Sequence, residues 1–273
     1  MSVLWLNDRL VEERAAAISP FDHGLTTGDG VFETLRVYRG SPFAVRRHLE
    51  RLAHSAQGLG LAVPDRARVE RAMAQVIEAN ALREGRLRIT WTAGVAPLGS
   101  ERSDGAATLL VAVSSLRPFP AAEKVAIVPW VRNERSAIAG LKTTSYAENV
   151  VALGHARGRG AGEAIFGNTR GELCEGTGTN VFVVQGGRLV TPPLASGCLA
   201  GVTRALVLEL MEVDERALPV EALATAEEAF LTSSTREVQP IASVDGRPLA
   251  APGPVTARAQ RCFADLLARD LDP

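Results

Sequence analysis

Lysine is almost missing from this chain: of 30 basic residues only two, Lys124 and Lys142, are lysines. Charge of one sign is missing too. Acids and bases interleave to a formal net charge of −1, so no basic stripe offers the phosphate-neutralising surface that nucleic acid or anionic lipid needs. The expected partners are small molecules and copies of the chain itself. No apolar run approaches the length of about 18 residues that would suggest a span. The N-terminal MSVLWLNDRLVEER has no basic region followed by an apolar run, so neither a membrane span nor an export signal is expected. Three cysteines, Cys174, Cys198 and Cys262, cannot all pair within the chain and lack the close spacing of a zinc site, which fits a reducing cytoplasm.

Several familiar signatures are also absent. Gly-Thr-Gly at 176–178 does not continue as GxGxxG, and the glycines at 24, 28 and 30 are not followed by Gly-Lys-Ser/Thr, so neither a dinucleotide fingerprint nor a P-loop is present. There is no G-x-S-x-G nucleophile elbow. The histidines, His23, His48, His54 and His155, show no metal-ligand pattern and read as surface or packing residues, so no metal is expected.

What the chain does have is core-forming material, 46% hydrophobic residues over 273 positions, enough for one large domain or two smaller ones. LWLNDRLV reads as a hairpin around Asn7-Asp8, and VFETLRVY (31–38) as a strand closed by Arg39-Gly40-Ser41-Pro42. Apolar residues at helical spacing follow, first at Leu49, Leu52, Ala53 and Ala56, then at Val69, Ala72, Met73, Val76 and Ile77. Strand-like runs resume at RLRITW (86–91) and TLLVAVSSL (108–116), after which Pro118 and Pro120 suggest a linker. The expected division is a small N-terminal α/β domain over 1–117, a linker over 118–122 and a larger C-terminal domain over 123–273. In the latter, the strands VAIVPW, EAIF, NVFVV and EAFLT alternate with helices at about 147–159, 202–213 and 255–268. The fold class is α/β or α+β.

An amine attacks a carbonyl only when deprotonated, and apolar surroundings with a neighbouring cation favour that form. Lys142, in IAGLKTTSY, has such a setting; Lys124, in the charged AAEKV, does not. Six further stretches stand in order along the chain: GDGVFETLRVY (28–38), HLERL (48–52), GLKTTSYAENVVAL (140–153), CEGTGTNVFVV (174–184), LAGVTR (199–204) and FLTSSTREVQP (230–240). Together they resemble the class IV aminotransferases, fold-type IV enzymes of pyridoxal 5′-phosphate (PLP). The resemblance spans essentially the whole chain. It implies two α/β domains with PLP between them and a homodimer, often with a loop of one subunit closing the other's pocket.

By resemblance, Lys142 is the Schiff-base lysine and the acid and base of proton transfer. Glu175 matches the carboxylate that keeps the pyridine nitrogen protonated, and Arg51 the arginine that forks onto the phosphate. The backbone N–H groups of Val202 and Thr203, at a helix start after Gly201, and the hydroxyl of Ser234 complete the expected phosphate site. Strand alternation puts Phe32, Thr34 and Arg36 on one face and Val31, Glu33 and Leu35 on the other. The first set matches pocket-lining positions, with Arg36 the candidate for a substrate carboxylate, or else a structural salt-bridge partner. Arg102, in PLGSER, is a second candidate.

The same resemblance bears on the reaction. D-Amino-acid aminotransferases carry an Arg-x-His pair after the strand that here ends in TWTAG, and this chain has APLGSER in that place. Branched-chain enzymes continue their lysine as a glycine-rich stretch ending in Asn-Tyr; Thr143-Thr144-Ser145-Tyr146 counts against that assignment. The expectation is transamination between a D-amino acid and a 2-oxo acid. The runner-up is 4-amino-4-deoxychorismate lyase, yielding 4-aminobenzoate and pyruvate, and an (R)-amine transaminase is third. A binding protein that has lost PLP is disfavoured by the joint presence of Lys142, Glu175 and Arg51.

Overall fold

Asn7 adopts the left-handed conformation (φ 58°) that joins β1 (Val3–Leu6) to β2 (Arg9–Glu12), a backbone state that asparagine tolerates better than most residues. This computed structural model describes residues 2–273. The chain divides into two compact units, Met1–Arg117 with Leu141–Tyr146 and Leu271–Pro273, and Pro118–Gly140 with Ala147–Asp270.

In the first unit, the short α1 (His23–Thr26) precedes β3 (Gly30–Tyr38) and β4 (Ser41–Pro42). Helices α2 (Val45–Gly58) and α3 (Arg66–Ala79) follow, and then β5 (Gly85–Thr92) and β6 (Thr108–Ser114). The six strands run in the order β2-β1-β6-β5-β3-β4, each pair antiparallel. Alternation gives the sheet two unlike faces. Val31, Leu35, Leu87, Ile89, Leu109 and Val111 form a core with the apolar stripes of α2 and α3, including Leu52, Val69 and Met73. On the opposite face, Phe32, Thr34 and Arg36 stand across from Thr90, Arg88 and Arg86.

Segment 141–146 belongs to this unit although the chain on both sides of it belongs to the other. The expected division put Lys142 in the C-terminal domain; backbone bonding attaches it to the start of β3 instead. Phe32 N–H donates to the carbonyl of Lys142 (3.0 Å), and Thr144 N–H donates to that of Gly30 (2.8 Å). The Thr144 hydroxyl also donates to the Gly28 carbonyl (2.8 Å).

The second unit holds β7 (Glu123–Arg132), α4 (Ala147–Gly158), β8 (Glu163–Asn168), β9 (Leu173–Gly176), β10 (Asn180–Gln185) and β11 (Arg188–Thr191). After them come α5 (Val202–Leu210), β12 (Asp214–Glu215), β13 (Glu228–Ser233), β14 (Glu237–Val244), β15 (Arg247–Pro248) and α6 (Pro254–Arg269). The sheet order is β12-β11-β10-β13-β14-β7-β8-β9, with β15 beside β14. Three neighbour pairs are parallel, β11/β12, β14/β7 and β7/β8. Strand β8 is buried along its whole length and β10 up to its last residue, as strands covered on both faces must be. Phe182 and Phe230 stack at 4.8 Å between ring centres. Helix α6 starts where the Glu228 carboxylate, on β13, accepts the N–H groups of Val255 and Thr256. Helix α5 stops at Leu210, short of the expected 213, because the backbone turns extended at Met211. Among the described residues, no helix is long and apolar enough to cross a membrane.

Candidate active site

The half-buried Lys142 lies on the open face of the first sheet. Its Nζ sits 4.3 Å from the centre of the Phe32 ring, and the Arg88 guanidinium carbon is 3.7 Å from the same centre. Tyr146 meets Phe32 edge to face at 5.0 Å. The backbone holds this arrangement: Lys142 N–H donates to Ser55 Oγ, on α2, at 3.1 Å, and Ser55 is fully buried.

Ser55 lies on the same stripe of α2 as His48 and Arg51, at spacings of three and four residues. Arg51 grips Glu33 with a two-pronged bond, Nε to Oε1 at 2.7 Å and Nη2 to Oε2 at 2.8 Å. His48 Nδ1 lies 2.7 Å from Glu33 Oε2. Glu33 and His48 are both completely buried. Burial by itself would raise the Glu33 pKa, but the charges of Arg51 and His48 outweigh it and hold the carboxyl far below the usual range. Burial lowers His48 despite the pull of Glu33. The fork uses Nε and Nη2 together, which fixes the plane of the Arg51 guanidinium.

Of the expected substrate residues, Phe32 is buried and Thr34 and Arg36 are half-buried on the same face as Lys142, as the alternation required. The Arg36 guanidinium carbon lies 5.0 Å from the Tyr38 ring centre. Arg88, directly opposite Thr34, and Arg86, opposite Arg36, bring two more guanidinium groups to this face, and Arg86 Nε donates to Ser114 Oγ at 2.8 Å. Arg102 is engaged elsewhere. It forks onto Asp29 (2.7 and 2.6 Å) and donates to the carbonyls of Leu59 and Gly60, which ties the segment before β6 to the end of α2. The Arg102 bond holds the Asp29 pKa below its ordinary value.

In the second unit, Glu175 on β9 is fixed from two sides: Oε2 accepts the Leu199 N–H at 2.9 Å, and Oε1 lies 3.3 Å from Arg132 Nε. Arg132 itself lies over the Phe166 ring, 4.1 Å from its centre. Leu199 also leads into α5, whose first turn contains Val202 and Thr203 and has no side-chain cap. Those N–H groups need an acceptor, and a phosphate at a helix start supplies one. Gly201 leaves room for the Asn180 side chain, since a Cβ there would come within 1.9 Å of its Oδ1, and the Asn180 amide nitrogen donates to the Leu199 carbonyl (2.8 Å). Ser234 lies in the turn between β13 and β14. Two buried thiols lie near Glu175. Burial raises both and pushes Cys198 up to about 11, so neither is a nucleophile at neutral pH.

Taken separately, the first unit offers an amine and a guanidinium, and the second a held carboxylate and an uncapped helix start, groups of the kinds that an aromatic aldehyde carrying a phosphate requires. Sequence reasoning missed Glu33, His48, Tyr146, Arg88 and Arg132 as parts of this chemistry. Glu33 could have been found as a charged residue on an otherwise apolar strand face, and Arg88 by applying to RLRITW the alternation used for VFETLRVY.

Comparison with known proteins identifies the family. The family described as Amino-transferase class IV matches residues 30–244. A putative branched-chain-amino-acid aminotransferase of Methanocaldococcus jannaschii is 33% identical over 96% of both chains. A D-alanine aminotransferase of Bacillus licheniformis is 32% identical over 95% of both, and the aminodeoxychorismate lyase of Bacillus subtilis is 31% identical over 89% of this chain and 87% of its own. The fold superimposes on the Escherichia coli branched-chain amino acid aminotransferase with a TM-score of 0.91 at 29% identity, covering 97% of this chain and 94% of that one. Another branched-chain amino acid aminotransferase of the same fold, with a TM-score of 0.90 at 26% identity, was solved with pyridoxamine 5′-phosphate. The chain belongs to the class IV aminotransferases, enzymes that work through pyridoxal 5′-phosphate.

Proposed function

We propose that the protein transfers an amino group between a D-amino acid and a 2-oxo acid. The observation that carries this reading is the pair of guanidinium groups, Arg36 and Arg88, on the sheet face that also bears Phe32 and Lys142. Both substrates of such a reaction carry a carboxylate, which a planar guanidinium binds with two charge-assisted bonds, and a simple amine has no use for either arginine. The D configuration is supported by the likeness to D-alanine aminotransferases.

When bound, pyridoxal 5′-phosphate supplies an aldehyde that takes the substrate nitrogen and a ring that accepts the electrons left behind when the Cα proton departs. Lys142 Nζ takes that proton as a base and returns it as an acid. Phe32 and Tyr146 exclude water from one side of the amine. Glu175, held by Leu199 N–H and Arg132, keeps a proton on the pyridine nitrogen. Arg51 in the first unit, and the first-turn N–H groups of Val202 and Thr203 with the Ser234 hydroxyl in the second, are the groups that would hold a phosphate, and Thr34 would line the substrate pocket with Phe32.

A second reading, aminodeoxychorismate lyase, is favoured by the Lys142–Tyr146 segment and the Bacillus subtilis relative. The cofactor-loaded protein is mixed with D-alanine, L-alanine or L-leucine without an oxo acid, and its visible absorbance is followed. Bleaching by D-alanine alone is the expected result. Bleaching by L-leucine instead transfers the protein to the branched-chain enzymes. No response to any of the three, with pyruvate released from aminodeoxychorismate, establishes the lyase.

A further inference from the structure

Glu33 stands where an apolar residue would be expected. Its neighbours on the same face of β3, Val31, Leu35 and Val37, all join the core beneath the sheet, and Glu33 is as buried as they are. A buried carboxylate paired with a cation such as Arg51 contributes little net stability, because removing the charges from water offsets most of their mutual attraction. An apolar side chain of similar size would serve the core as well or better. The carboxylate therefore needs a reason other than holding β3 in place.

The geometry of its partners supplies one. An arginine side chain has four rotatable bonds, and an unanchored Arg51 would sample many orientations. The fork onto Glu33, at 2.7 and 2.8 Å, selects one of them. His48, one helical turn earlier on α2, fixes the carboxylate in turn at 2.7 Å from Oε2. Helix and strand are regular elements, so the plane of the guanidinium is set by ordered parts on both sides. We propose that Glu33, oriented by His48, is a positioning residue that fixes the Arg51 guanidinium for the cofactor phosphate and so determines how strongly the chain prefers a phosphorylated cofactor. This rests on the reading of Arg51 as a phosphate ligand.

The test compares the binding of pyridoxal 5′-phosphate with that of pyridoxal, which has the same aldehyde and ring but no phosphate. Dissociation constants for both come from titrating the cofactor-free protein and following tryptophan fluorescence. Pyridoxal closes partly into an internal hemiacetal, but this factor is common to all variants and cancels when their ratios are compared. Arg51→Gln should lower the preference for the phosphorylated form by at least about tenfold, as expected for a lost hydrogen-bonded charge pair. Glu33→Gln should reproduce most of that loss while leaving pyridoxal affinity near the wild-type value. In the double variant the preference should fall no further than with Arg51→Gln alone.

If Arg51→Gln leaves the preference intact, the phosphate reading of Arg51 falls, and the role of Glu33 with it. If Arg51→Gln lowers it but Glu33→Gln does not, Arg51 is the ligand and needs no positioning by Glu33. Equal weakening of both cofactors by Glu33→Gln reduces that residue to a structural part. Should Glu33→Gln fail to fold, His48→Gln takes its place. It should lower the preference by a smaller factor without changing pyridoxal binding, and an unchanged preference overturns the proposal.

Discussion

The two units place their chemistry on different kinds of structure. In the first, the candidate site residues ride on the faces of regular elements: Phe32, Thr34 and Arg36 on β3, Arg88 on β5, and His48, Arg51 and Ser55 on one stripe of α2. In the second, strands such as β8 and β10 are covered on both sides, and the candidate site groups sit where regular structure stops: Glu175 near the end of β9, Val202 and Thr203 at the start of α5, and Ser234 in a turn. A sheet with one open face can offer side chains to a ligand directly. A sheet buried on both faces can offer only its edges, turns and helix ends.

The sharpest way to break this comparison is to remove the one side chain that no element of the second unit can replace. Lys142→Ala should lower kcat by at least about 10³-fold, since proton transfer by a positioned base contributes on that order. Cofactor should stay with the protein noncovalently, which gel filtration followed by absorbance will check; steady-state turnover near wild type would refute the assignment.

The second test concerns the covered sheet itself. Phe182→Ala opens a hole beside Phe230 in a fully buried stack and should cost about 3–5 kcal/mol, read as a lower midpoint in urea. Thr34→Ala, on the open face of the first sheet, should shift the midpoint by no more than about 0.5 kcal/mol. Comparable losses would mean that the two sheets are not covered differently.

A smaller effect is expected at the arginine pair. Arg36→Ala or Arg88→Ala should raise KM for D-alanine about tenfold, the worth of a hydrogen bond to a charged group, and leave simple amines unaffected. Equal changes for both substrate types would demote the pair to structural residues.

The smallest effect is a pH dependence carried by the first unit. His48 is lowered from an ordinary 6.5 by burial, so below that pH the unfolded chain takes up a proton that the folded chain refuses. Glu33 is lowered from 4.5 by Arg51 and His48 against the effect of burial, so its contribution is present above 4.5 and drains away as pH falls. Both signs agree. The melting temperature should begin to fall below about pH 6.5 and fall more steeply below about 4.5, and His48→Gln should remove the first of these two steps. A wild-type profile without that step, or one that His48→Gln leaves unchanged, would count against His48.

Much of the site was legible in the sequence because its parts carry unusual chemistry in short local patterns. Lys142 stands out where lysine is scarce, and period-two alternation along VFETLRVY puts Phe32 and Arg36 on one face without any tertiary information. The partners were harder to read. Glu33 and Arg51 are 18 positions apart on different elements, Arg132 and Glu175 lie 43 positions apart, and Arg102 looked as available as Arg36 until Asp29 and the end of α2 were seen to engage it. His48 read as a packing residue because a lone histidine in a helix has no local signature. Its role exists only through the carboxylate it faces.

By itself, then, the sequence determined most of the longer strands and helices, the family and the residue types available for chemistry, because periodicity and short motifs are local properties of the chain, whereas β14 (Glu237–Val244) and the short strands went unread. Only the tertiary structure decided that segment 141–146 attaches to β3, that Arg102 serves a clamp and that Glu33 pairs with Arg51. Those are matters of which distant groups share a hydrogen bond. The energy of such a bond depends on angle, distance and burial, and none of these is set until the elements have packed.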